Sequence, residues 1–260
     1  MKAALLEFYH ELPTYASLLL RGRLGRTLQE RRAYVSAQRG RLAELKRQAP
    51  QTPVLEELVD RSASGIQRAS AQTAQFWYAS NAIGTIKPHE VHDIGSHRSW
   101  LLGMAASLTV HSVDVRRPEF CASNEVFHQG QGERLPFPDN SVECLTSLSS
   151  IEHFGLGSYG DPFDPQADAS AAAEIVRVLR PGGHLVLTTL CTGRAESFVV
   201  FNTRRVYSLA RIREMLTGLS LLHEAFFSTV QHRLVDRAEL QTAVAPYAWD
   251  MYLSTWRKPA

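Results

Sequence analysis

The stretch VHDIGSHRSWLLGMAASLTVHSVDV, residues 91–115, decides the fold. A short apolar run ends at Ile94, Gly95 opens a turn, and helical spacing follows Ser96 before a second apolar run closes on Asp114. Strand, turn, helix, strand is the first half of an α/β unit with a crossover helix. Asp114 comes nineteen positions after Gly95, where an acidic side chain at a strand end accepts hydrogen bonds from ribose hydroxyls. Gly95 lets a ligand approach the backbone, since it adds no Cβ. The plainer alternative is a strand-to-helix turn in which Gly95 supplies only backbone freedom.

A dinucleotide site would need glycines where this chain has His97 and near Arg98 and Ser99, because a pyrophosphate must come close to the main chain. Their absence argues against an NAD-dependent oxidoreductase. A cofactor without phosphates relaxes the requirement, and S-adenosylmethionine is the common one bound at such a turn.

Short apolar runs continue the alternation at HEVHDIG, HSVDV, VFHQGQ, VECLTSL and GHLVLTTL, with a helix over ASAAAEIVRVLR and closing strands at LLHEAFFSTV and DMYLSTWRK. Pro181-Gly182-Gly183 predicts a helix stop and a tight turn into the next strand. The order and wording of GQGERLPFPDNSVECLTSLSSIEHF and AAAEIVRVLRPGGHLVLTTL resemble the class I S-adenosylmethionine-dependent methyltransferases of the type-11-like kind, over roughly residues 80–257. More narrowly, SSIEHFGLGSYGDPFDP with VFNTRRVYS resembles an uncharacterised branch associated with surface-polysaccharide biosynthesis.

The resemblance implies a Rossmann-like α/β fold, with a mostly parallel seven-stranded sheet, an antiparallel last strand and helices on both faces. It implies S-adenosylmethionine as methyl donor. Asp93, Gly95, Ser96 and His97 take the place of the first cofactor motif, although His97 and Ser99 replace its later glycines. Asp114 takes the place of the ribose acid. Gln131, beside Gly132, stands where relatives have an aspartate for the adenine amino group, and its amide oxygen can accept that bond. Glu133 is read as holding the loop. Ser149 and Ser150, at the end of the fourth strand, are expected near the sulfonium.

The stretch SSIEHFGLGSYGDPFDPQAD, residues 149–168, leaves the fourth strand on the ligand side of such a sheet. Its length without periodicity, and its glycines around Tyr159, predict a folded lid. An aliphatic hydroxyl is a poor nucleophile unless its proton is removed during attack. His153 is the candidate base, with Glu152 and Asp161 beside it as catalytic candidates; the alternative for His153 is a helix-start histidine satisfied locally. Asp161, Asp164 and Asp168 raise a second reading, a bound Mg²⁺ or Ca²⁺. Their spacing fits no calcium loop, and Asp-Pro turn chemistry is the leading account. Tyr159, Asn202, Arg204, Arg205 and Tyr207 are acceptor-binding candidates, with an arginine gripping a carboxylate or phosphate; helix capping and packing on the lid is the equal alternative.

The 260 residues are 44% hydrophobic and 21% charged, as in a soluble globular chain, and no run approaches a membrane span. Glu7 and Glu11 interrupt the apolar N-terminus, so a signal peptide is not expected. Cys121, Cys144 and Cys191 have no C-x-x-C spacing and are expected as buried thiols in a reducing cytoplasm.

Residues 1–50 carry ten Lys/Arg against four Glu, although the whole chain is only +2. Apolar stripes at helical spacing, Leu5, Phe8, Leu12, Tyr15 and Leu19 and then Leu24, Leu28, Val35, Leu42 and Leu45, predict a helical appendage over residues 1–79 before a methyltransferase domain over 80–260. Its arginines form a solvated face, or a basic surface for a partner or the inner face of a membrane. An oligomer is compatible with the sequence. Basic residues are not interleaved with aromatics, so no nucleic acid is expected as a partner.

The combined expectation is O-methylation of a sugar hydroxyl in a glycan or glycolipid precursor. The alternatives are a small-molecule methyltransferase and a non-catalytic binding module of the same fold.

Overall fold

The computed structural model describes residues 69–260 and, before them, 32–33, 36–37, 39–44 and 46–47. The chain divides into two compact units, 1–68 and 69–260. In the first, the described residues are helical; the apolar stripes and basic surface expected there lie mostly outside the described residues. No helix among the described residues is long and apolar enough to cross a membrane.

The second unit opens with α1 (Ala71–Ile86), capped by Ser70, whose side chain accepts from the Thr73 N–H. It buries Ala74, Gln75, Tyr78, Ala79 and Ile83. The boundary expected at 79/80 therefore falls inside a helix that packs on the sheet of this unit. Then come β1 (Glu90–Ile94), α2 (Arg98–Met104), β2 (Thr109–Asp114), β3 (Glu125–Gln129) and β4 (Val142–Leu148). After a 3-10 turn over Ile151–His153 follow α3 (Ala167–Val178), β5 (Leu179–Thr192), β6 (Phe198–Val200), β7 (Arg204–Ser208) and α4 (Leu209–Met215). The chain closes through β8 (Ser220–Ser228), β9 (Arg233–Val235), a 3-10 turn over Arg237–Glu239 and β10 (Asp250–Arg257).

The sheet runs β3-β2-β1-β4-β5-β10-β8-β9. Strands β1 to β5 pair in parallel, while β10 is antiparallel to both β5 and β8. Seven of these strands form the expected sheet. Three short ones extend it: β9 folds back on β8, and the β6–β7 hairpin joins β5 through Cys191↔Tyr207 and Thr192↔Ser208.

Alternation along the strands sends Ile94, Val113, Leu145 and Leu187 to one core with Ala171 and Ile175 of α3. Val91, Val110, Cys144 and Leu148 go to a second core with α1 and α2. Alanines along the buried side of α3 let that helix lie close to the sheet.

Two local expectations change. Leu179 already pairs with Val142, so strand β5 begins before the glycines, and Pro181-Gly182-Gly183 is absorbed as a register shift within it. Gly182 there is left-handed at φ 77°. Cys121 is exposed, unlike buried Cys144 and Cys191.

Candidate active site

Strand order reverses between β1 and β4, and ligands of open α/β sheets bind beyond the carboxyl ends of strands at that point. Two adjoining hollows open there, of about 560 and 1190 Å³, sharing Gly95, Asp114, Arg116, Ser149 and Tyr159. They form one cleft open to solvent.

The turn after β1 is built by Asp93. Its carboxylate is fully buried and accepts from the Ser96 N–H (3.0 Å), Ser96 Oγ (2.6 Å) and Thr146 Oγ1 (2.5 Å). Burial pushes its carboxyl up to about 6, against those hydrogen bonds. Asp93 does not line the cleft; it holds the loop that does. Gly95 is left-handed at φ 66°, and a Cβ there would lie 3.1 Å from that of Ser150. Ser96 and His97 line the cleft, and His97 also accepts the Ser99 N–H to cap α2.

At the end of β2, Asp114 accepts from the Arg116 N–H (2.8 Å), Nε (3.0 Å) and NH2 (2.9 Å). Across the cleft, Ser150 Oγ donates to the Ile94 carbonyl at 2.7 Å and Ser149 Oγ donates to Gln75 Oε1 at 2.9 Å. Beyond β3, Gly130, Gly132 and Glu133 line the cleft while the exposed Gln131 does not. A Cβ on Gly132 would fall 2.5 Å from the Phe154 ring, so the close approach requires glycine.

His153 lines the same cleft. Its Nδ1 lies 2.5 Å from the Thr203 carbonyl, which can only accept, so Nδ1 carries the proton and Nε2 of the neutral ring is left as acceptor. Tyr159 meets His153 edge to face at 5.4 Å, and the Arg116 guanidinium lies 4.6 Å from the Tyr159 ring centroid. The lid tip is tied by Asp161, which lines the cleft and accepts from the N–H groups of Gly157 and Tyr159.

Residues 137–245 match a family described as "Caenorhabditis protein of unknown function, DUF268". The ubiquinone/menaquinone biosynthesis C-methyltransferase UbiE of Francisella philomiragia subsp. philomiragia is 39% identical over 67 residues, 26% of this chain and 22% of that protein. UbiE of Saccharophagus degradans is 38% identical over 66 residues, again 22% of its length. The chain thus spans about a fifth of these curated relatives. Among solved structures, the [4+2]-cyclase SpnF superposes with TM-score 0.55 at 18% identity, over 84% of this chain and 93% of that one.

This is the class I methyltransferase fold. Within it, Gly95, Ser96, His97, Asp114, Gly132, Ser149, Ser150, His153, Tyr159 and Asp161 converge on the cleft. Arg205 and Tyr207, expected to face an acceptor, are instead buried. Arg205 donates to the carbonyls of Phe154 (2.5 Å) and Pro165 (3.3 Å), and Tyr207 donates to Asp168 (3.1 Å). Strand β7 turns both inward, where they nail the two feet of the lid.

Glu152 is likewise fully buried, accepting from Thr189 Oγ1 at 2.9 Å, and burial holds its carboxyl above the usual range. It does not reach the cleft. Arg204 lies with its Cζ 5.8 Å from the Trp249 ring, and Asn202 is exposed.

Asp161, Asp164 and Asp168 do not converge as cation ligands. Asp164 accepts the Gln166 N–H, and Asp168 is spent on Tyr207 and on Arg205 at 3.6 Å. Turn chemistry explains the first two.

Sequence reasoning missed Gln75, Glu133 and Arg116 as cleft residues. The spacing of Arg116, two residues after a strand-end aspartate, was the available signal.

Proposed function

We propose that the chain is an S-adenosylmethionine-dependent O-methyltransferase acting on a sugar hydroxyl of a glycan or glycolipid precursor. The observation that carries the reading is His153, whose Nδ1–H is spent on the Thr203 carbonyl while its ring lines the cleft that also holds Asp114. That arrangement leaves one imidazole nitrogen to take a proton from an acceptor hydroxyl.

The residues present fit the cofactor. Left-handed Gly95 and the Cβ-free approach at Gly132 give room beside the main chain, and Asp114 presents a carboxylate suited to ribose hydroxyls. Ser149 and Gln75 supply polar partners on the other wall. When bound, the cofactor supplies an electrophilic methyl group. The protein's share is then to orient the acceptor in line and to accept its proton, so positioning dominates.

A sugar acceptor is supported by exposed aromatic rings. Phe163 on the lid and Phe201 on the turn leading to Thr203 are 65% and 75% exposed and meet edge to face at 6.3 Å. Exposed apolar rings paired on loop tips suit the C–H faces of sugars better than a charged acceptor. The resemblance of residues 149–165 and 200–208 to a polysaccharide-associated branch points the same way.

The test is calorimetric titration with S-adenosylmethionine and S-adenosylhomocysteine, followed by mass-spectrometric methyl transfer to a panel of glycans and, separately, small phenols and quinone precursors. Methyl ethers on glycans support the proposal. Turnover only on the second panel replaces the acceptor class, and no binding of either cofactor form overturns the reading.

A further inference from the structure

We propose that Glu90, His92 and His111 bind one divalent transition-metal ion of the zinc class, at a site separate from the cleft. None of the three lines that cleft. Glu90 and His92 are two apart on β1 and so share a face of the sheet, and His111 is the direct neighbour of His92 on β2. One ligand atom from each lies within 4.8 Å of the others.

The separation of His111 Nε2 from Glu90 Oε2 is 3.5 Å. Tetrahedral zinc with bonds of about 2.0–2.1 Å to nitrogen and oxygen places its donor atoms about 3.4 Å apart.

A second observation is independent of this spacing. His92 is only 6% exposed, and its Nδ1 is buried with no hydrogen-bond partner among the described residues. A ring nitrogen removed from water without a partner is costly, and a metal bond removes that cost. The second ring nitrogen of His111, where a ligating histidine makes its outer contact, is also held: Nδ1 is 3.3 Å from His128 Nε2. Phe137 closes the cluster, edge-on to His92 at 4.6 Å and to His128 at 5.2 Å.

Two imidazoles and one carboxylate form a set that zinc and its neighbours take, with water in the fourth position; magnesium and calcium prefer oxygen throughout. The His92 and His111 rings are stacked, 4.6 Å apart and 10° from parallel, so one must tilt for both to face one ion. His111, the more exposed, has the room. Bound there, the ion ties β1 to β2 behind Asp93 and Asp114.

The experiment titrates tag-free, chelator-stripped protein with Co²⁺, reading the visible d–d absorption of tetrahedral nitrogen and oxygen ligation, and then displaces it with Zn²⁺. Saturation at one equivalent is expected, with loss of about tenfold or more in affinity for His128→Gln and larger losses for Glu90→Gln and His111→Gln. Both ligand positions are partly exposed, so these variants keep the fold; His92→Phe, which preserves the ring stack, serves as a second check by thermal melting with and without Zn²⁺. Absence of a Co²⁺ band at excess metal, or affinity undiminished in both Glu90→Gln and His111→Gln, overturns the proposal.

Discussion

Arg116 reaches both carboxylate oxygens of Asp114, through Nε at 3.0 Å and NH2 at 2.9 Å, while its guanidinium faces the Tyr159 ring. The residue suited to grip a ribose is thus already gripped, by a side chain that also touches the lid. Arg116 is more than half exposed, and an ion pair of this kind is worth only about 0–1 kcal/mol. Arg116→Ala is therefore expected to leave S-adenosylhomocysteine affinity within about fivefold of the original. Asp114→Ala removes charged hydrogen bonds worth about 1.5–3 kcal/mol and should weaken binding about 10- to 100-fold. Calorimetry on the two variants checks the contrast; equal losses would make Arg116 a cofactor ligand in its own right.

His153→Ala should lower turnover about 10²- to 10⁴-fold while cofactor affinity stays within a few-fold, the pattern of a lost general base. If turnover survives, the histidine serves only to hold Thr203.

Gly155 is left-handed at φ 68°, and a Cβ there would sit 2.1 Å from the Asp164 carbonyl oxygen. Gly160 is left-handed at φ 83°, and a Cβ there would meet nothing within 4 Å among the described residues. Gly160→Ala should cost about 1–2 kcal/mol from backbone strain alone, and Gly155→Ala distinctly more. Urea unfolding of the pair separates strain from collision.

Burial holds the Glu152 carboxyl above its usual range, outweighing the opposing pull of His153 and Arg204. A raised acid binds its proton more tightly when folded. Its contribution to stability is full below the unfolded value and is lost as pH rises through the folded one. Glu152→Gln, neutral at all pH, should therefore gain stability relative to the parent as pH rises. Denaturant melts at pH 5 and pH 8 read this directly, and a difference that is constant or shrinks towards pH 8 contradicts it.

The fold was legible because its information is local. The run from Val91 to Asp114 carries strand, turn and crossover helix in consecutive residues, and the cleft forms where that run ends. The rear wall was not legible. Gln75 comes from a helix far back in the chain, and its contact with Ser149 depends on how that helix crosses the sheet. The inward turn of Arg205 and Tyr207 was hidden for a different reason. In sequence, polar residues beside Asn202 look like a ligand-facing loop, and only the pairing of β7 with β5 reveals that they point into the core.

The double grip of Arg205 on Phe154 and Pro165 divides the lid into parts with different freedom to vary. The feet are committed to the core. Ser158, Pro162 and Phe163 are exposed at the span between them, where replacement disturbs no buried contact. Such a span can change in sequence while the scaffold stays as it is, which makes it the natural segment to randomise without loss of the fold.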